Sequence, residues 1–195
     1  MTPSDKRTET VKQILQAALT VFAEKGYAGA TTEAIARRAG VNKAMLYYYV
    51  GSKEELFGAA ILHLLVPARN TLAAALDQTP HPEEKLPLIQ ATFAALFRQH
   101  PQLPRLMLRT LTTELQRIPQ EVLAAMAQVY SLTAAVVGQG VGQGVFRPVN
   151  PALAHLLVIG SLALACEAGE VLRRLAEAQV EPLPPLPPWT KWPYW

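Results

Sequence analysis

Residues 31–50 read TTEAIARRAGVNKAMLYYYV. Thr31 stands where an N-cap belongs, and Glu33 follows near the positive end of the helix it would open. Gly40 ends that helix after eight or so residues. A glycine takes the left-handed conformation without a Cβ clash. Asn42 caps a second short helix that runs to about Tyr49. Ile35, Ala36, Ala39, Val41 and Leu46 can share a small core between the two. Two short helices joined by a tight glycine turn are the layout of a helix-turn-helix.

The flanks extend the pattern. Val11, Ile14, Leu15, Ala18 and Phe22 recur at i, i+3, i+4, i+7 and i+11, one apolar stripe on a first helix over about 8–25. Gly26 is its stop. Downstream, Ser52 and Glu55 have the spacing of a capping box, so a fourth helix starts there and can reach Asp77. Pro67 lies inside it, and a kink or a split into two helices is expected.

Helical periodicity continues to the end of the body. Helices are expected over about 82–99 and 102–115. Another opens at Pro119 and ends between Val137 and Gln143. The last starts near Pro151 and runs to about Ala178, bent around Gly169. No run shows strand alternation, so the fold class is all-α. Residues 182–195 differ in kind. Six of the fourteen are proline and all three tryptophans are there, which predicts an extended polyproline II tail lying on the body or on a partner subunit.

Composition narrows the function. The chain has 195 residues, half of them hydrophobic and 17% charged, with one cysteine. That is enough to bury a core and rules out a disulfide framework. The longest apolar run, Ala152 to Cys166, contains His155 and is short for a membrane span of ~20 residues. A soluble cytoplasmic protein without a membrane role is expected. The net charge is +3 and uneven. Residues 1–53 carry eight Lys/Arg against four acids, and the remainder is nearly neutral. A basic unit on an apolar body points to an anionic partner such as nucleic acid.

The second helix of the motif suits the major groove of DNA. Asn42 and Ala44 are small enough at its start, and Lys43 can meet a phosphate or a guanine edge. The hydroxyls of Tyr47 and Tyr49 can reach phosphates. Lys53 adds a cation at the start of the next helix. Arg37 and Arg38 are read as solvated, Tyr48 as packed in the small core, and Cys166 as a buried thiol.

On these residues the chain resembles the DNA-binding domain of the TetR family of transcriptional regulators. The resemblance rests on four linked blocks: ILQAALTVFAEKGY (14–27), TTEAIARRAGV (31–41), LYYYV (46–50) and GSKEEL (51–56). It implies an all-α homodimer of nine helices or a similar number. The first three helices would bind DNA, and the rest would form a ligand-binding and dimerising body. It further implies that Thr32, at the start of the second helix, touches phosphate. Lys43, Ala44 and Met45 match the groove-facing start of the recognition helix, Tyr47 a base or phosphate contact, and Lys53 a phosphate-binding lysine. Tyr49 stands where the family usually has histidine. The expected division is a DNA-binding domain over 6–66, an effector-binding and dimerisation domain over 67–181, and the tail over 182–195.

Other motifs lead nowhere. Gly138, Gly140, Gly142 and Gly144 do not spell a nucleotide loop. His63, His81, His100 and His155 lack metal-site spacing, and no nucleophile or acid–base constellation is present. Neither an enzyme nor a cofactor is expected. The body is poor in charge. Its few polar residues, Gln90, Arg109, Thr113, Glu114, Tyr130 and His155, are the candidates to line a pocket for a small hydrophobic or amphipathic effector. The expected activity is that of a regulator, most simply a repressor released from an inverted-repeat operator by such an effector. The rival reading is a small-molecule or lipid-binding α-protein whose helix-turn-helix serves only packing.

Overall fold

Local signals set the helix starts in the first third of the chain. The Thr31 side chain accepts from the amide of Ala34, Asn42 from Met45, and Ser52 from Glu55, whose own carboxylate returns to the Ser52 amide. The computed structural model describes residues 3–178. The N-terminal unit holds α1 (Pro3–Gly29), α2 (Thr32–Ala39), α3 (Lys43–Val50) and the start of α4 (Lys53–Asp77). The body adds α5 (Pro82–Gln99), α6 (Gln102–Thr113), a single 3-10 turn (Leu115–Arg117) and α7 (Gln120–Gly142). Then α8 (Pro151–His155), a π segment (Leu156–Gly160) and α9 (Ser161–Glu167) follow one another as a continuous rod, and α10 (Gly169–Glu177) comes last. All regular structure among the described residues is helical. The tail expected over 182–195 lies outside them.

Gly26 interrupts α1 as anticipated, at φ 70° and ψ 173°. Gly40 closes α2 at φ 69°, with its amide on the carbonyls of Ala36 and Arg37. The chain also breaks at Ala168, where the last helices turn by 68°. Of the kink or split expected at Pro67, the split does not occur, and α4 is one helix with Pro67 inside it. Pro67 is exposed, so water can bond the carbonyl it frees. Leu64, Leu72 and Leu76 are buried on either side of it and hold the helix to α5 and α7.

By length and composition alone, α4 and α7 are apolar enough to cross a membrane. Here they pack on each other and on α5 at the centre of the body. One core runs through the described residues from α1 to α9. At the junction of unit and body, Phe22, Tyr27 and Phe57 form an aromatic trio. Phe57 meets Phe22 edge-on at 4.9 Å and Tyr27 at 5.2 Å between ring centroids. Cys166 is exposed rather than buried. The buried residues of the rod are Ala154, Ile159 and Ala163, and Cys166 lies past the last of them, near the end of α9.

Candidate nucleic-acid interface

The helix-turn-helix is assembled on three side chains. Ile35 and Ala36 of α2 and Leu46 of α3 are buried against α1, which fixes the rotation of α3 about its axis. With Leu46 inward, Lys43, Ala44, Met45 and Tyr47 are exposed. Tyr47 is 46% exposed. Lys43 bonds the Glu33 carboxylate of α2, and its ammonium lies 5.7 Å from the centre of the Tyr47 ring. The hydrogen bond from Lys43 holds the Glu33 carboxyl below its usual range, and the same bond raises Lys43. The Tyr47 hydroxyl is 3.4 Å from Thr32 Oγ1. Four polar side chains from two helices thus form one connected patch.

Thr32 is buried, with its hydroxyl facing Tyr47 and Glu33. At the first position of α2, its amide is among those that no helical carbonyl can satisfy. Lys53 is half-buried, and its ammonium sits 4.5 Å from the centre of the Tyr27 ring. Arg117 flanks the same ring at 5.3 Å. Burial raises the Tyr27 hydroxyl's pKa, assisted by Glu54 and opposed by Arg117. Arg37 and Arg38 are exposed, and Arg38 pairs with Glu24 at 3.3 Å.

The expectation for Tyr48 is overturned. It is 74% exposed, while Tyr49 packs against the core. Leu46 is the inward residue, and helical neighbours three and four along, Tyr49 and Val50, share its face. Tyr48, two along, points away. Arg7 of α1 lies 5.8 Å from both tyrosine rings. Sequence reasoning missed Glu33 as a partner of Lys43, and missed Arg7. Neither contact has a periodic signature, because each joins different helices.

The body contains a cavity of about 70 Å³ between α4, α5, α6 and α7. Leu65, Phe93, Phe97, Leu106, Met107 and Met126 are among its walls. None of the six polar residues expected to line an effector pocket reaches it. Gln90 and Thr113 are exposed. Tyr130 and His155 meet edge-on at 5.6 Å on another face, and His155 Nδ1 is 3.0 Å from Thr133 Oγ1. Burial lowers the His155 pKa. Arg109 and Glu114 turn the other way, toward α1. Glu114 accepts from the Tyr27 amide at 2.7 Å, and Arg109 donates to the Glu24 carbonyl at 3.3 Å. Arg109 and Glu114 thus serve the seam with α1, and the cavity is lined by apolar side chains apart from Thr110.

Known proteins match both the motif and the fold. Residues 14–60 fit the family described as bacterial regulatory proteins, tetR family. The chain is 39% identical over 85 residues to the HTH-type transcriptional regulator BetI of Rhizobium meliloti, across 43% of this chain and 42% of that protein. It is 29% identical over 140 residues to the HTH-type transcriptional repressor NicS of Pseudomonas putida, across 71% of this chain and 66% of that one. The match therefore spans less than two thirds of either relative. Among solved structures, the TetR family transcriptional regulator PfmR from Thermus thermophilus superposes with a TM-score of 0.61 at 27% identity, covering 94% of this chain and 98% of that one. Residues 14–60 of this chain thus match the helix-turn-helix domain of the TetR family of transcriptional regulators, and its all-helical fold is TetR-like.

Proposed function

We propose that this protein is a sequence-specific DNA-binding transcriptional regulator, a repressor that a small hydrophobic effector releases from an inverted-repeat operator. The observation that carries this reading is the exposed row Lys43, Ala44, Met45 and Tyr47 on α3, with Leu46 buried behind it. A helix so mounted can enter a major groove with its first turn against base edges. The DNA-contacting residues are Thr32, through its amide, with Lys43, Ala44, Met45, Tyr47 and Lys53, whereas Tyr49, expected among them, packs against the core. They belong to a DNA-binding domain over 6–66, and 67–181 forms the effector-binding and dimerising domain.

The active species is a cytoplasmic homodimer whose two recognition helices occupy successive major grooves, ~34–36 Å apart or a multiple of it. Its support is the outer face of the α8–α9 rod. Leu153, Leu156, Leu157 and Leu164 are exposed there on one side. A second copy would cover them.

Coupling runs through α6. One side of this helix lines the cavity with Leu106, Met107 and Thr110, and the other holds the break in α1 through Arg109 and Glu114. A ligand that enlarges the cavity displaces α6 and with it the anchor on Tyr27. By linkage, operator and effector weaken each other's binding equally. Pro67 is a candidate hinge in α4. A Pro67→Ala protein with unaltered DNA affinity and unaltered effector response would remove it from the mechanism.

The test is selection of random duplex DNA on the purified protein at near-physiological salt, followed by sequencing. An enriched inverted repeat is expected, with Tyr47→Ala and Lys53→Ala each weakening its binding by ~1–3 kcal/mol at unchanged helix content. Phosphate contacts alone give sequence-independent binding that salt removes. Only that kind of binding, with or without ligand, would leave the rival reading of a small-molecule binder standing.

A further inference from the structure

The cavity's walls specify the chemistry of what enters it. None of its lining side chains is ionisable. Of the charged residues of this segment, Arg105 pairs with Glu167, and Arg109 on α6 and Glu114 just past its end are committed to α1. An ionised ligand group would lose its hydration there without a counter-charge, which disfavours its entry.

Thr110 is the exception in this wall. It is 5% exposed, it lines the cavity, and its hydroxyl has no hydrogen-bond partner. Thr112 and Thr113, on the same helix, return their hydroxyls to the carbonyls four residues back. A buried hydroxyl without a partner costs free energy, because it has lost its hydration and gained no bond in return. A ligand that supplies the partner recovers part of that cost.

Size and compliance complete the picture. A cavity of about 70 Å³ has room for about five to seven water-sized groups, at ~10–15 Å³ each. Met107 and Met126 border it, and methionine side chains repack more readily than branched ones.

We propose that the cavity binds a small, uncharged, mostly apolar molecule bearing one hydrogen-bonding group, and that Thr110 is the residue that selects for that group. This rests on reading the cavity as the effector site, and it names the effector's chemical class.

The test compares four six-carbon probes: 1-hexanol, hexane, hexanoate and hexylammonium. Binding is followed by the methyl NMR signals of Met107 and Met126, with Met45 on α3 as a distant reference. 1-Hexanol is expected to move both cavity signals and to bind several-fold to about ten-fold tighter than hexane, the worth of one net hydrogen bond. The two charged probes should bind at least about ten-fold more weakly than 1-hexanol. Thr110→Val should abolish the preference for 1-hexanol over hexane while leaving hexane binding in place, and Thr110→Ser should retain it. The proposal is overturned if hexanoate or hexylammonium matches 1-hexanol, if Thr110→Val leaves the preference intact, or if no probe moves the cavity signals. Operator release is read separately. Binding as expected without any release would refute the effector role and leave the selectivity of the cavity established.

Discussion

The helices of the N-terminal unit and the three long helices that open the body begin in different ways, although the short α8 is again capped by a side chain, Asn150. α2, α3 and α4 each start on a side-chain cap, Thr31, Asn42 and Ser52. α5, α6 and α7 start at His81, Pro101 and Pro119 with no capping side chain. For α2 and α3 the need for a cap follows from length, whereas α4 carries its capping box on a helix of 25 residues. A helix of eight residues is far below what sustains itself in water, so α2 and α3 need every local aid. α5, α6 and α7 run from 12 to 23 residues and draw their stability from packed apolar faces. The DNA-facing surface is thereby set by rigid local geometry, while the body can repack around a ligand.

Four experiments can break or sharpen this contrast, the largest expected effect first. Phe57→Ala empties the aromatic trio between unit and body and should cost about 3–5 kcal/mol in urea unfolding. Phe97→Ala should cost less, because Phe97 already faces the cavity and its loss only enlarges it. Equal costs would mean that the body is as tightly packed as the junction.

Gly26→Ala comes next. The backbone conformation at Gly26 is close to glycine-only, worth about 1–3 kcal/mol. An added Cβ would also come within 2.6 Å of Glu114 Oε1 and 2.8 Å of Arg109 Nε. The variant should be destabilised and should lose protection from amide exchange at Tyr27. Wild-type protection there would contradict the anchoring role of Glu114.

The caps offer a pair of opposite sign. Asn42→Ala should cost about 1 kcal/mol, since the Met45 amide loses its acceptor. His81→Ser should stabilise by up to about 1 kcal/mol, because His81 has the extended backbone of an N-cap without the side-chain bond. A neutral result at both sites would show that capping does not separate the two regions.

The smallest effect is a pH dependence that belongs to the body. Burial lowers the pKa of His155, and burial followed by the charge of His63 lowers that of His100. Their contribution to stability is complete above the unfolded-state value of about 6.5. It is lost as pH falls below that value, because the unfolded chain then binds protons that the folded chain refuses. A His100→Gln, His155→Gln double variant should flatten the decline between pH 6.5 and acid. An unaltered slope would place its origin in other groups.

Much of the N-terminal unit was legible in the sequence because its determinants are local. Thr31, Gly40, Asn42 and the Ser52–Glu55 box each act within four residues, and all take the roles their spacing implies. Helix order in the body was legible as well, because proline and apolar periodicity are also local signals. The polar residues of the body were not. Arg109 and Glu114 look the same in sequence whether they face a cavity or a neighbouring helix.

The sequence by itself determined that this chain is all-α, where most helices start and stop, and that residues 31–50 form a helix-turn-helix. These follow from backbone hydrogen bonding and side-chain periodicity over one or two turns. The tertiary structure decided that Tyr48 faces out and Tyr49 in, and that Glu33 holds Lys43. It also decided that Thr110 rather than its polar neighbours borders the cavity, and that the Tyr27 amide is anchored by Glu114 from 87 residues away. The physical reason is that rotation of a helix about its axis is set by what it packs against. A change of about 100° per residue is enough to exchange a cavity wall for an interdomain anchor.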